Sequence, residues 1–180
     1  EVVKEKNVFT TSIKSTSKEE SFKKFCIKTG NFYQLIRRTA WLRRFPWIRK
    51  SDVDYSASLS MLELVDAERA VVRCLQWIEF EQEIKDIQVT GIVAKKNRLY
   101  KLSPYVDENY VLRIGTRLGK LSSFHSSFVS PAILPHDGHI VELIIAETHQ
   151  HNYHVGVDHV VALIRKKYWI IRAKTAVKKV

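Results

Sequence analysis

Apolar positions recur along the chain at two spacings, one helical and one of strand type. Phe22, Phe25 and Cys26 share a helical face, and beyond Gly30 the residues Phe32, Leu35, Ile36, Thr39 and Leu42 repeat the pattern, with Arg37, Arg38, Arg43 and Arg44 mostly opposite. This predicts two helical pieces broken near Gly30 and ending at Phe45, because the residue before Pro46 is pushed out of the helical region. Ser60, three residues before Glu63, forms a capping box, with Leu59 and Leu64 placed as a hydrophobic staple. Helix is expected from there to about Glu79, burying Leu64, Ala67, Val71, Cys74, Leu75 and Ile78. The spacing then changes to two: residues 98–102 and 110–114 alternate as strands of a hairpin, with 103–109 as its loop. Gly115 and Gly119 permit tight turns, and Ala132, Ile133 and Leu134, fenced by Pro131 and Pro135, read as a short edge piece. Asp137 is placed to cap a helix through Ile140, Val141, Leu143, Ile144 and Ile145 that ends at His149, and Gly156 and Asp158 to end the turn and cap the next helix. The fold class expected is α+β, mainly helical.

Of the 180 residues, 45% are apolar and 27% charged, which excludes a wholly disordered or collagen-like chain. Residues 1–21, rich in Ser, Thr and Lys, read as a flexible leader. Cys26 and Cys74 allow at most one bridge and lie on apolar faces, which argues against a disulfide scaffold and for a reducing, intracellular compartment. Apolar stretches such as 143–146 and 168–171 are far short of the roughly 20 residues of a membrane span, so no membrane partner is expected. The chain begins at Glu1 with no basic-then-apolar leader, so no secretory signal is expected and it reads as a window on something longer.

The net charge of +11 sits at the two ends: residues 1–50 carry 13 basic and 4 acidic groups, and residues 151–180 carry 7 and 1. Basic ends around a near-neutral middle fit a partner that carries phosphates, because Lys and Arg displace its counterions. The alternative is a solvated surface that serves solubility alone.

Six of the seven histidines fall between 136 and 159. His149 and His154 are spaced H-x4-H, within the range used by tetrahedral zinc sites, and His151 with His154 offers a competing pair. A four-ligand site needs two more groups, usually cysteines spaced C-x2-C, and none follows Cys74. The other reading is of surface or helix-terminal histidines with ordinary hydrogen bonds. No Gly-rich phosphate loop, Gly-x-Ser-x-Gly elbow or His-Glu-x-x-His is present, so no catalytic residue is assigned and no small-molecule substrate is expected. A metal-dependent hydrolase would need an acid beside the histidines, and the nearby Glu147 and Asp158 sit at no recognised ligand spacing.

Several motifs in order carry a family resemblance. They are the segment from Leu102 to Asp107, then that from Val111 to Leu118, then Ile133-Leu134-Pro135, the run from His149 through His154 to Val157, and the segment from Leu163 to Ile170. Together, over about residues 98–180, they resemble the integrase zinc-binding region of Pao/BEL-type long-terminal-repeat retrotransposon polyproteins. Residues 31–90, with Arg38-Thr39-Ala40-Trp41 and the Leu-x-x-Ala-Glu-Arg-Ala run around Asp66, resemble the linker that follows the ribonuclease H region there. Thr116 stands where a second glycine is usual, and Ser130 where a histidine often precedes the proline.

The resemblance implies a helical linker region (22–90), a small β-hairpin subdomain (91–135) and a three-helix integrase-type zinc-binding domain (136–180). It implies His149 and His154 as zinc ligands, with the cysteine pair expected after the helix that begins near Thr175, beyond Val180, so the site is incomplete within this chain. Helices 159–167 and 174–180 are then expected to be poorly fixed, relying on Val160, Val161, Ile164, Tyr168, Trp169 and Ile170 for packing. The implied function is non-catalytic: DNA binding, through Arg165, Lys166, Lys167, Arg172 and Lys174, and self-association of integrase. The alternative is a basic module that binds nucleic acid or protein without metal.

Overall fold

A computed structural model describes residues 15–48, 58–115, 130–152 and 156–180. Of the expected leader, residues 1–14 lie outside that range, while 15–21 are helical and open α1 (Ser15–Ile27). Phe22, Phe25 and Cys26 dock on the core. Once that turn is fixed, each preceding residue adds a hydrogen bond at little further cost. Helix α2 (Phe32–Ile48) begins where Asn31 Oδ1 accepts from the backbone N–H groups of Tyr33 and Gln34. It runs past the expected stop at Phe45, since a proline in the last turn forfeits a single i→i−4 bond. Leu42, expected on the buried face, is exposed.

Helix α3 (Met61–Thr90) has the predicted capping box: Glu63 N–H donates to Ser60 Oγ at 3.3 Å, and Ser60 N–H to Glu63 Oε2 at 2.8 Å. Leu59 and Leu64 both pack on the adjoining core. The expected end near Glu79 coincides with a kink at Phe80 (φ −134°, ψ 28°), after which the helix resumes and is closed by Gly91 in the left-handed region (φ 76°). Its buried stripe swings from Ala67, Ala70 and Val71 to Val72, Leu75 and Gln76, as its neighbour changes from α2 to the sheet. That swing carries Cys74 into solvent, correcting its expected core role, whereas Cys26 is buried. Burial, with a smaller push from Cys74, raises the Cys26 thiol to about 11.

The hairpin is real but shifted. Strand β1 is Tyr105–Val106, inside the expected loop, and pairs antiparallel with β2 (Leu112–Arg113). Residues 98–102 instead form a turn and a 3-10 helix (Tyr100–Leu102), because Leu99 and Leu102, three apart, both face the core. Asp107 builds the connection: its Oδ1 accepts from Asn109 and Val111 N–H groups, and Oδ2 binds Arg113 Nε at 2.5 Å. Gly115 lies so close to this loop that a Cβ would stand 2.2 Å from the Ser103 carbonyl oxygen. Gly119 and Thr116 lie outside the described residues.

Strand β3 (Ala132–Leu134) pairs antiparallel with β2 and parallel with β4 (Tyr168–Ile170), giving the order β1-β2-β3-β4. It is therefore an interior strand rather than the expected edge. Its flanking prolines sit outside the paired residues and cost the ladder no donor. Both sheet faces are covered. Leu134, Ala132, Tyr168 and Ile170 enter a core with α1, α2, the first half of α3 and helices α4 (His139–His151), α5 (Val157–Arg165) and α6 (Ala173–Lys179). Leu112 and Ile133 enter a second core with Phe80, Ile84, Ile87 and Leu99, against which Trp169 packs. The predicted α+β, mainly helical class describes this arrangement. No helix among the described residues is long and apolar enough to cross a membrane.

Gln76 stands where the two cores meet, fully buried. Its side-chain amide donates to the carbonyls of Leu112 (2.8 Å) and Ile133 (2.7 Å), and its Oε1 accepts from Leu112 N–H (2.8 Å). Replacing it by leucine strands those backbone groups, each at about 1–3 kcal/mol, so Gln76→Leu is expected to lose at least about 3 kcal/mol in urea unfolding. A loss below about 1 kcal/mol would show that the clamp is dispensable. A second test concerns the α2–α3 junction, where Arg44 Nε and Nη2 each lie 2.6 Å from the Glu63 carboxylate. The bond from Arg44, then the Ser60 N–H, lowers the Glu63 carboxyl from 4.5 to about 2. A lowered folded-state value stabilises the fold above the unfolded value and is lost as pH falls. The stability advantage of wild type over Glu63→Gln should therefore be full at pH 7, shrink below about 4.5 and vanish near 2; a gap independent of pH in urea melts would contradict it.

Candidate functional site

Residues 136–180 contribute α4, α5, β4 and α6. Helix α4 buries Ile140, Val141, Leu143, Ile144 and Ile145 and exposes its polar flank, which carries His149 to its last turn as expected. Its N-terminus departs from expectation: Gly138 (φ 127°) takes the cap position, with no side-chain cap bond. Asp137 instead reaches Lys179 of α6 at 3.3 Å and His136 at 3.8 Å. Likewise Gly156 stands at the cap of α5 without a side-chain bond, and Asp158 pairs with Lys174 at 2.7 Å. The bond from Lys174 lowers the Asp158 carboxyl below its ordinary range. Both acids tie α6 to its neighbours rather than capping helices.

His149 is half-buried and lines a cavity of about 230 Å³ shared with Val157, Val160, Val177 and Val180. The cavity lies where α4, α5 and the end of α6 converge. His154, the predicted second ligand, lies outside the described residues. Among the described residues no three His, Cys, Asp or Glu side chains form a group able to hold a metal ion. Of the two implied zinc ligands, the described residues include His149.

The other described histidines of the 136–159 cluster do not converge on His149. His136 Nδ1 donates to the Ile171 carbonyl at 3.1 Å, fastening the loop after β3 to the end of β4. His139 Nε2 donates to the Thr29 carbonyl (3.0 Å), tying α4 to the α1–α2 turn, while His151 Nδ1 donates to the Glu147 carbonyl one turn back (2.9 Å). His159 is exposed. Glu147 Oε2 accepts from Tyr33 N–H at 3.0 Å, at the start of α2.

The five predicted nucleic-acid-binding residues are exposed but differently engaged. The Arg165 guanidinium lies 4.7 Å from the centre of the Trp169 ring. Lys167 Nζ binds Glu68 Oε2 at 2.6 Å, and the Tyr168 hydroxyl donates to the other oxygen of the same carboxylate. Lys174 is held by Asp158. Lys166 closes α5, and Arg172 takes a left-handed conformation (φ 53°) before α6. The sequence reading missed Glu68, which joins α3 to β4. Nothing in the local sequence marks it, since a partner 99 residues away leaves no local trace.

Helices α5 and α6 correspond to the expected helices 159–167 and 174–180 and use the apolar residues expected to pack them. Val160, Val161 and Ile164 of α5 and Ala173, Ala176 and Val177 of α6 are buried in the larger core, with Tyr168 and Ile170 between them. Apolar burial packs both helices into that core. No family model matches the chain, and no curated protein or solved structure matches it either.

Helix content should therefore be insensitive to a chelator, whereas Val160→Ala, which removes two fully buried methyl groups, should cost about 2 kcal/mol. Circular dichroism with and without EDTA reads the first effect and urea melts the second. Loss of helix on chelation would show that packing alone does not hold α5 and α6.

Proposed function

We propose that the chain is a non-catalytic part of a Pao/BEL-type retrotransposon polyprotein, with α4, α5 and α6 forming an integrase-type unit for zinc binding, DNA engagement and assembly. The observation that carries this reading is the convergence of His149, at the end of α4, with Val180, just past α6, on one cavity. In the resembled family the cysteine pair follows the third helix, and a continuation from Val180 would start beside His149. His154 would supply the second imidazole. Zinc bound there would lend its binding energy to folding. Phosphate contacts fall first to Lys166 and Arg172, since Lys167 and Lys174 must leave Glu68 and Asp158 to reach a polyanion.

A second reading is supported by the apolar anchoring of α5 and α6: a basic interaction module whose fold and binding need no metal. One experiment separates the two. Zinc is titrated into the chain and into a version extended past Val180 by a C-x2-C pair, followed by circular dichroism and by polarisation of a labelled DNA duplex at about 50 and 200 mM salt. The first reading expects at least a tenfold gain in zinc affinity on extension, accompanied by tighter DNA binding, and loss of that gain in His149→Ala. Equal zinc affinity with and without the extension, alongside steeply salt-dependent DNA binding, leaves the second.

A further inference from the structure

Beyond the cavity beside His149, which belongs to the site above, the strongest feature is the outward face of α2. On α2 the residues Tyr33, Arg37, Trp41 and Arg44 succeed one another at spacings of three and four, forming a single stripe along the helix. The stripe is about 17 Å long at the helical rise of 1.5 Å per residue. Tyr33 and Trp41 are large aromatic side chains left 51% and 39% exposed. The 17 residues of α2 hold four arginines and no acid.

The rings on this face are held in place. Arg44 is fixed by Glu63 and by the Ser58 carbonyl (3.1 Å), and from there its guanidinium stands 4.8 Å from the centre of the Trp41 ring. Arg37 lies 5.9 Å from the centre of the Tyr33 ring. Arg38 donates to the Lys28 carbonyl (3.1 Å) and to Thr29 Oγ1 (3.3 Å), which fixes a further cation beside the stripe. An apolar protein partner would be met here by charge, and a purely electrostatic surface has no need of exposed rings. A ligand with flat aromatic units on an anionic backbone matches both features.

We infer that the Tyr33–Arg37–Trp41 face of α2 binds single-stranded nucleic acid, stacking unpaired bases on the two rings while Arg37 and Arg38 contact phosphates. This site is separate from the C-terminal basic residues and does not rest on the zinc reading. Its partner is a single strand because bases locked in a duplex offer no free face to Tyr33 or Trp41.

The test uses the full chain and polarisation of a fluorescein-labelled twelve-nucleotide oligo-dT, with polyglutamate as competitor and circular dichroism to verify that the variants keep their helix content. Trp41→Ala and Tyr33→Ala are each expected to weaken binding on the order of tenfold, the scale of one lost base stack. Trp41→Phe should stay within about threefold of wild type, since a flat ring remains. Arg37→Glu should weaken binding and flatten its salt dependence. Unchanged affinity in Trp41→Ala, or competition by polyglutamate as strong as by unlabelled oligo-dT, overturns the proposal; the latter would mark the face as an acidic-peptide site.

Discussion

Everything in this fold hangs on one amide. Gln76 enters the sheet from α3 and occupies three backbone groups of β2 and β3 that would otherwise face a helix with nothing to bond. An apolar residue could fill the same space and leave those groups unsatisfied, which a buried position does not tolerate cheaply. Because the residue sits between the two cores, it also sets the rotation of α3: the stripe before it faces α2 and the three C-terminal helices, and the residues after the Phe80 kink face the hairpin. The sheet is short, its strands two or three residues long, and is held by what covers it more than by its own ladder.

Four charged pairs close seams between elements. Arg44 with Glu63 closes α2 on α3, Glu68 with Lys167 closes α3 on β4, and Asp158 with Lys174 and Asp137 with Lys179 close α6 on α5 and on the loop before α4. The exposed pairs among them, Asp158 with Lys174 and Asp137 with Lys179, contribute little stability singly. Their effect is to spend much of the acidic charge on internal partners, so that the cations left outside these pairs, on α2 and near the start of α6, define the polarity of the surface.

What the sequence made legible follows from how local each determinant is. The capping box at Ser60 and Glu63 and the run from Ile140 to Ile145 are written within a few residues and appear where expected, while the two N-terminal helices form with α1 starting earlier and α2 ending later than their spacing suggests. The hairpin shifted because Tyr100 and Leu102, two apart, suggest alternation, whereas Leu99 and Leu102, three apart, share the buried side of a 3-10 turn. The interior position of β3 was invisible because its parallel partner lies more than thirty residues away, at Tyr168–Ile170. The histidine bonds that fasten loops, His136 to Ile171 and His139 to Thr29, depend on the same distant meetings. For the candidate site the sequence placed His149 at a helix end, but not the cavity that brings it to Val180. Nor did it set apart the aromatic members of the α2 stripe, where attention went to the arginines alone.

The parallel pairing of β3 with β4 bears on how the chain is assembled. Its two strands are separated by α4 and α5, so β3 has no neighbour on that side until the residues of that crossover have been made and folded back. Pairings across such separations form late, because the loop between them must close before any contact rewards it. Until then β3, flanked by β2 on one side only, presents a fully apolar open edge, which invites another chain to pair with it. A ribosome halted, or a protease cutting, between Leu134 and Tyr168 would leave that edge permanently uncovered, so β4 protects the sheet from aggregation as much as it completes it.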